Sequence, residues 1–166
     1  MAKALPVFAV DPRGSLAENA PLILHIRLEE MFGFATYIAD VYRVAELHNM
    51  RIAAKRLRYT MELFAVCFPS RDFDPLYEAV KSIQEQIGDI HDCDVRRPLA
   101  EEFLKSHGAE LPEIRVGLAR LVEHETERRQ QLYESFIAYW KTQTERDFKR
   151  KFLQLLAAAG QPERGK

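Results

Sequence analysis

The segment from His48 to Tyr59 holds the side chains best suited to chemistry, and it reads His48-Asn-Met-Arg51-Ile-Ala-Ala-Lys55-Arg56-Leu-Arg58-Tyr59. On a helix that turns about 100° per residue, polar residues share one side with His48, namely Arg51, Lys55, Arg58, Tyr59 and Glu62. Apolar residues fall on the opposite side, namely Met50, Ala53, Ala54, Leu57, Met61 and Phe64. Arg56 flanks the polar side. The spacing therefore predicts a helix with one core-facing side and one basic side.

Like charges one turn apart repel by a few tenths of a kcal/mol per pair on an exposed helix. Either acidic side chains of another helix or an external anion must offset this repulsion. Arginine offers a planar fork of donors and lysine a point charge, while histidine and tyrosine add further donors. Several such groups at one-turn spacing suit the phosphates of a linear polyanion. Binding of this kind should strengthen with polymer length and weaken with salt.

Two other interpretations of the basic side stay open. A basic stripe is often a solvated face or part of an internal ion-pair network, and acids are available in the sequence: Glu62, Glu85, Asp89, Asp92 and Asp94. The excess of acids between residues 85 and 102 also allows a protein-interaction or assembly module, in which the basic helix pairs with acidic helices. In that case carboxylates would saturate the guanidinium groups.

The rest of the chain predicts an all-α protein, an antiparallel bundle with long helices. No segment alternates like a strand between turns. Asn19-Ala20-Pro21 is typical of a helix start. Residues 34–68 contain no Gly or Pro and form one long helix or two, with a possible break between Asp40 and Ala45. Pro69 ends this run.

Later helices follow from the same signals. Residues 74–87 carry Leu76, Val80, Ile83 and Ile87 at helical spacing. Gly88-Asp89 then loosens the pattern before a further helix that ends near Lys105, with Pro98 in its first turn or kinking it. Pro112 opens a long helix that runs to Trp140 or to Ala159. We therefore predict an irregular segment over 1–19, one helical domain over 20–159 and a flexible tail over 160–166.

Composition narrows the functional classes. The 166 residues are 47% hydrophobic and 30% charged with a net charge of −1, which is typical of a globular protein and predicts no partner. The charge is uneven, because residues 43–58 hold five basic residues and one acid, Glu46. With no run of 18 apolar residues and no signal-peptide pattern, we expect a cytoplasmic protein without a membrane span. Cys67 and Cys93 are expected to be small buried side chains rather than a disulfide.

Residues 128–151 mix basic and aromatic side chains, a pattern that can indicate nucleic-acid binding. The aromatic residues fall mostly at helical spacing, which favours core packing, and the isoelectric point of about 6.5 argues against a nucleic-acid binder. His91-Asp92-x-Asp94 suggests a metal-dependent phosphate-ester enzyme as a third hypothesis. It lacks the histidine pair at i,i+4 of a helical zinc site, and the chain has no glycine-rich phosphate loop. We therefore expect no catalytic residues, no metal and no cofactor.

Two blocks of the sequence resemble the CHAD family, the conserved histidine α-helical domain. Residues 47–64, Leu-His-Asn-Met-Arg-Ile-Ala-Ala-Lys-Arg-Leu-Arg-Tyr-Thr-Met-Glu-Leu-Phe, resemble the signature helix of that family. Residues 83–95, Ile-Gln-Glu-Gln-Ile-Gly-Asp-Ile-His-Asp-Cys-Asp-Val, resemble its second element in order and distance. With Trp140 in the late basic-aromatic stretch, the resemblance covers roughly residues 40–155.

The resemblance implies a helical fold that binds inorganic polyphosphate through basic helix residues. His48, Arg51, Lys55 and Arg58 would line the anion site, and Arg56, Tyr59 and Lys81 would be further members of it. Asp92 and Asp94 would orient basic side chains or cap the next helix. The family often accompanies triphosphate-tunnel enzymes, and an association with polyphosphate granules is possible.

The chain departs from the family in holding the motif once. Family members usually contain two related helical bundles, each with its own His/Arg helix, and the single copy here resembles the second half. His25-Ile-Arg27 is not a second copy, because it lacks the Lys-Arg-x-Arg continuation. The single copy leaves two alternatives: the full two-bundle site is absent, or two chains pair to rebuild it. We predict a homodimer.

Overall fold

The computed structural model describes residues 3–8, 10–108 and 112–159 of the chain. It contains five α-helices: α1 (Leu16–Phe32), α2 (Val44–Phe64), α3 (Ser70–His107), α4 (Pro112–Glu145) and α5 (Phe148–Ala159), with a 3₁₀ turn at Ala65–Cys67. Helices make up 82% of the described residues, and no strand occurs in that part of the chain. The predicted all-α fold is therefore confirmed. The predicted tail over 160–166 lies outside the described residues.

Helix α2 packs between α1 and α3, while α4 packs along α3 and α5 packs mainly on α1. The apolar side predicted for α2 is buried as a whole: Met50, Ala53, Ala54, Leu57, Met61 and Phe64. The apolar residues predicted for the next helix are buried too: Leu76, Val80, Ile83 and Ile87. Burial of these two faces against each other leaves the basic side of α2 at the surface, beside α3.

The first helix starts earlier than the sequence suggested. Helix α1 begins at Leu16, because Ser15 and Glu18 form a capping box. The Glu18 amide donates to the Ser15 hydroxyl at 3.2 Å, and the Ser15 amide donates to the Glu18 carboxylate at 2.7 Å. These bonds satisfy two backbone donors that would otherwise lack partners. Pro21 therefore lies inside the helix rather than in its first turn.

Helix α3 is continuous over 38 residues, so the predicted interruption at Gly88-Asp89 is wrong. A helical glycine costs only about 1 kcal/mol relative to alanine, and packing against α2 and α4 outweighs that cost. Pro98 also lies well inside the helix. It removes one backbone donor, and the helix continues to His107.

Residues 34–68 form neither one long helix nor two: a turn region covers 33–43, α2 begins at Val44, and the 3₁₀ turn at Ala65–Cys67 follows it. Side chains of α4 contact the turn region: the Tyr133 hydroxyl donates to the Ile38 carbonyl at 2.7 Å, and Arg129 donates to the Val41 carbonyl at 3.2 Å. Residues far along the chain thus hold in turns a stretch that, without Gly or Pro, was predicted to be helical.

The last long helix breaks at Arg146-Asp147, at neither of the two predicted ends. Asp147 has a φ of 56°, a left-handed conformation that aspartate tolerates better than most residues. The break redirects the chain so that Phe148 and Phe152 pack in the core, with Phe148 stacked on Phe32 of α1.

Both cysteines are free, and Cys93 is buried as expected, whereas Cys67 is only partly buried in the 3₁₀ turn. None of the described helices combines the length and apolar character needed to cross a membrane.

Candidate anion-binding site

Helices α2 and α3 run antiparallel, and three contacts define their register: His48 with His91, Arg51 with Gly88, and Glu62 with Tyr77. The two imidazole rings lie 4.3 Å apart between centroids. A Cβ atom placed on Gly88 would lie 3.4 Å from the Arg51 Nε atom. The Tyr77 hydroxyl donates to the Glu62 carboxylate at 2.8 Å. A step of one residue toward the C-terminus of α2 therefore corresponds to a step of one residue toward the N-terminus of α3.

The same register predicts the neighbours of the remaining basic residues. Gln84 of α3 lies at the level of Lys55, and Lys81 of α3 lies at the level of Arg58. The family resemblance implies that Lys81 belongs to the anion site. Lys81 lies on the helix that borders the basic side of α2. The seam between α2 and α3 therefore carries a line of cationic and donor side chains from both helices.

We call Arg51, Lys55 and Arg58 the basic stripe. No carboxylate of the described residues forms an ion pair with Arg51 or Lys55, and the Arg51 Nε atom is buried without a hydrogen-bond partner. Arg58 Nε lies 3.5 Å from Glu62, and Lys81 Nζ lies 3.6 Å from Glu78. The stripe is therefore only partly neutralised by the acids of the described chain.

Tyr59 lies beside two members of the basic stripe. Its ring centroid is 5.7 Å from Lys55 Nζ and 4.8 Å from the Arg58 guanidinium carbon. Each such cation–π contact contributes about 0.5–1 kcal/mol at an exposed site. The ring, which is 48% exposed, thus restrains both cations at the surface and leaves their outer donors accessible.

Arg56 points to a different part of the molecule. Its Nε atom lies 3.5 Å from the carboxylate of Glu30, a buried residue of α1. Glu30 also pairs with Arg27 at 2.6 Å and accepts a hydrogen bond from the Leu5 backbone amide. Of the predicted site residues, Arg56 is thus the one that the structure places at the α1–α2 contact, away from the stripe.

His48 and His91 form the end of the line nearest the start of α2. The Nδ1 atom of His48 is buried and has no hydrogen-bond partner among the described residues. Burial lowers the pKa of His48 below its usual 6.5, and the neighbouring His91 and Arg51 lower the pKa further. His48 is therefore neutral at neutral pH in the unliganded protein. We call His48 and His91 the histidine pair.

The three residues proposed as a metal set face different partners. His91 packs on His48, whereas Asp94 accepts a hydrogen bond from Arg129 of α4 at 2.6 Å. Asp92 lies 3.9 Å from Arg96. The described His, Cys, Asp and Glu side chains include no group of three or more that could hold a metal ion. Asp94 instead orients a basic side chain at the α3–α4 contact.

Two residues of this seam lie outside the site predicted from the sequence. Gln84 belongs to the second motif block, and its side-chain oxygen is buried at the level of Lys55 without a hydrogen-bond partner among the described residues. His91 enters the sequence prediction only through the metal hypothesis and is not one of the predicted anion-site residues. The signal was the motif block itself, but the contact of His91 with His48 depends on the α2–α3 register.

The Arg51 side chain lies over Gly88, so a small and a large substitution at Gly88 should have different effects. Gly88→Ala should raise the free energy of unfolding by about 0.5–1 kcal/mol, because alanine favours the helix and its Cβ would make an ordinary contact with Arg51. Gly88→Leu should displace the guanidinium and weaken several-fold the polyphosphate binding that the family resemblance implies. Chemical denaturation and calorimetry measure the two effects. Equal affinity in both variants would show that the Arg51 position is irrelevant to binding.

Comparison with known proteins gives one match. Residues 27–101 match the family model described as CHAD domain, a range that includes all of α2 and both motif blocks. No curated protein and no solved structure matches the chain. The match confirms the resemblance drawn from the two blocks, and it covers residues 27–101, which are less than half of the chain.

Proposed function

We propose that this chain binds inorganic polyphosphate, or a similar linear polyanion, along the basic stripe. CHAD domains are linked in general to polyphosphate- and triphosphate-related binding. The observation that carries the proposal for this chain is the seam between α2 and α3. Within the described part of the chain, Arg51 and Lys55 lack carboxylate partners there, and the Arg51 Nε atom is buried without an acceptor. An external anion would supply the acceptors.

The length of the line favours a polymer over a single phosphate. Helix α2 rises 1.5 Å per residue, so the line from His48 to Arg58 extends over about 15 Å. A single phosphate contacts one part of such a line, whereas successive phosphates of a chain can contact all of it. Lys81 and Gln84 would add donors from α3 along the same line.

The same observation disfavours an internal ion-pair network, because no carboxylate of the described residues pairs with Arg51 or Lys55. An assembly module, whose basic helix would meet acidic helices of a partner or of a second copy, stays the alternative. For the enzyme hypothesis, the line offers cations and neutral donors without a nucleophile beside a base. We therefore propose binding without catalysis. Pairing of two chains, a cytoplasmic location and association with polyphosphate granules stay predictions.

Calorimetric titration with orthophosphate and with long-chain polyphosphate, each at two salt concentrations, tests the proposal. We expect polyphosphate to bind much more tightly than orthophosphate, and to lose affinity as salt rises, because cations bound to the polymer are released on binding. Absence of polyphosphate binding at low salt would refute the proposal. Release of phosphate during the titration would instead support the enzyme hypothesis.

A further inference from the structure

The histidine pair has two features that the basic stripe does not explain. Its rings are in contact at 4.3 Å, so a proton on one imidazole raises the cost of a proton on the other. The buried Nδ1 atom of His48 has no hydrogen-bond partner among the described residues. The uncharged imidazole of His48, in contact with the His91 ring, therefore stands at the end of a row of permanent cations.

Both helices that carry the pair also carry charged side chains. Arg51, one turn along α2 from His48, is a permanent cation whose charge disfavours a proton on His48. The nearby carboxylates of the same helices contact other cations: Glu46 lies 3.4 Å from Arg43, and Asp92 lies 3.9 Å from Arg96.

Helix α1, which packs on the other side of α2, adds no free acid. Its buried Glu30 is held by Arg27 and Arg56. The carboxylates of Glu46, Asp92 and Glu30 are thus each paired with a cation in the unliganded protein.

An anion reverses this balance. A phosphate placed on Arg51 brings negative charge next to the pair and partly neutralises the cation that opposes protonation. Both changes favour the charged imidazole. Because His48 is neutral near pH 7 in the unliganded protein, a proton that it gains when the anion binds must come from solvent.

We propose that the histidine pair is a proton-coupled subsite at the end of the basic stripe, and that the pair takes up a proton from solvent as phosphate binds beside Arg51. This inference rests on the proposed function and adds its regulation. The protonated imidazole donates a hydrogen bond to the phosphate, and the affinity rises as the pH falls. By linkage, a rise of one unit in the pKa of one histidine on binding strengthens binding by up to about tenfold.

Calorimetry of long-chain polyphosphate binding in buffers of different ionisation enthalpy measures the proton uptake directly. Near pH 6.5 we expect the observed enthalpy to depend on the buffer with the sign of proton uptake. The uptake should be lost in the double variant His48→Gln/His91→Gln. The matched control is His25→Gln, an exposed histidine of α1, which should retain the uptake of the unaltered chain.

The outcomes separate the two proposals. Binding with no proton uptake, or with uptake that persists in the double variant, overturns the role of the histidine pair and leaves the proposed function intact. No binding at any pH overturns both.

Because the double variant could lose its fold, NMR titration of the histidine ring protons in the unaltered chain gives a second test. The titration midpoint of His48 or His91 must rise when polyphosphate is added, and an unchanged midpoint for both rejects the inference.

Discussion

Replacement of Arg51, Lys55 and Arg58 together by alanine is expected to weaken polyphosphate binding by about a hundredfold or more. Hydrogen bonds that involve a charged group contribute about 1.5–3 kcal/mol each, and 1.4 kcal/mol corresponds to a factor of ten in affinity. The loss of three such contacts at the surface, each partly screened by salt, should therefore lower the affinity by more than two factors of ten. Calorimetry or a competition assay with labelled polyphosphate measures the change.

The salt dependence gives a sharper readout than affinity alone. Each lost phosphate contact lowers the slope of log affinity against log salt by about 0.7–0.9 for nucleic-acid polyanions, so the triple variant should lose about two units of slope. The fold should survive, because none of the three side chains is buried.

A matched control removes the same net charge elsewhere: Lys105→Ala, Arg115→Ala and Arg120→Ala lie on exposed positions of α3 and α4. This control variant should keep most of the affinity and nearly the whole slope. If both triple variants lose affinity equally, general charge and not the stripe attracts the polymer.

Replacement of Asp94 by alanine is expected to lower the free energy of unfolding by about 2–4 kcal/mol. Asp94 and Arg129 are 12% and 11% exposed at their side chains, and they are joined at 2.6 Å. Removal of the carboxylate leaves a largely buried guanidinium without its counter-charge, which is among the costlier single changes in a protein. The same guanidinium also donates to the Val41 carbonyl, so the turn before α2 should loosen. Denaturant unfolding followed by circular dichroism gives the value.

Asp92→Ala is the control for this change, since Asp92 is exposed at 58% of its side chain and lies 3.9 Å from Arg96. Exposed ion pairs contribute about 0–1 kcal/mol, so the control should unfold close to the unaltered chain. A second variant, Asp94→Ala with Arg129→Leu, should recover part of the loss because it removes the unpaired charge. Equal losses for Asp92→Ala and Asp94→Ala would refute the structural role assigned to Asp94.

The amino-acid sequence alone was enough to predict the all-α fold class and the division of α2 into an apolar side and a basic side. Helical periodicity depends on the residues alone, and the side of α2 that it marked as apolar is the side that is buried. The cationic residues at one-turn spacing were likewise readable, because side chains three or four positions apart share a helix face. The same periodicity included Arg56 only as a flanking residue, and that residue contacts Glu30 of α1.

Contacts between distant residues determine features of the fold that local sequence signals could not predict. Gly88 predicts a break by its propensity, yet α3 continues because packing on both sides outweighs a cost of about 1 kcal/mol. The division between α1 and α2 depends on Tyr133 and Arg129, which lie about ninety residues further along the chain. The meeting of His48 with His91 likewise depends on the antiparallel register of α2 and α3, because periodicity gives the face of each helix and not its level against a neighbour.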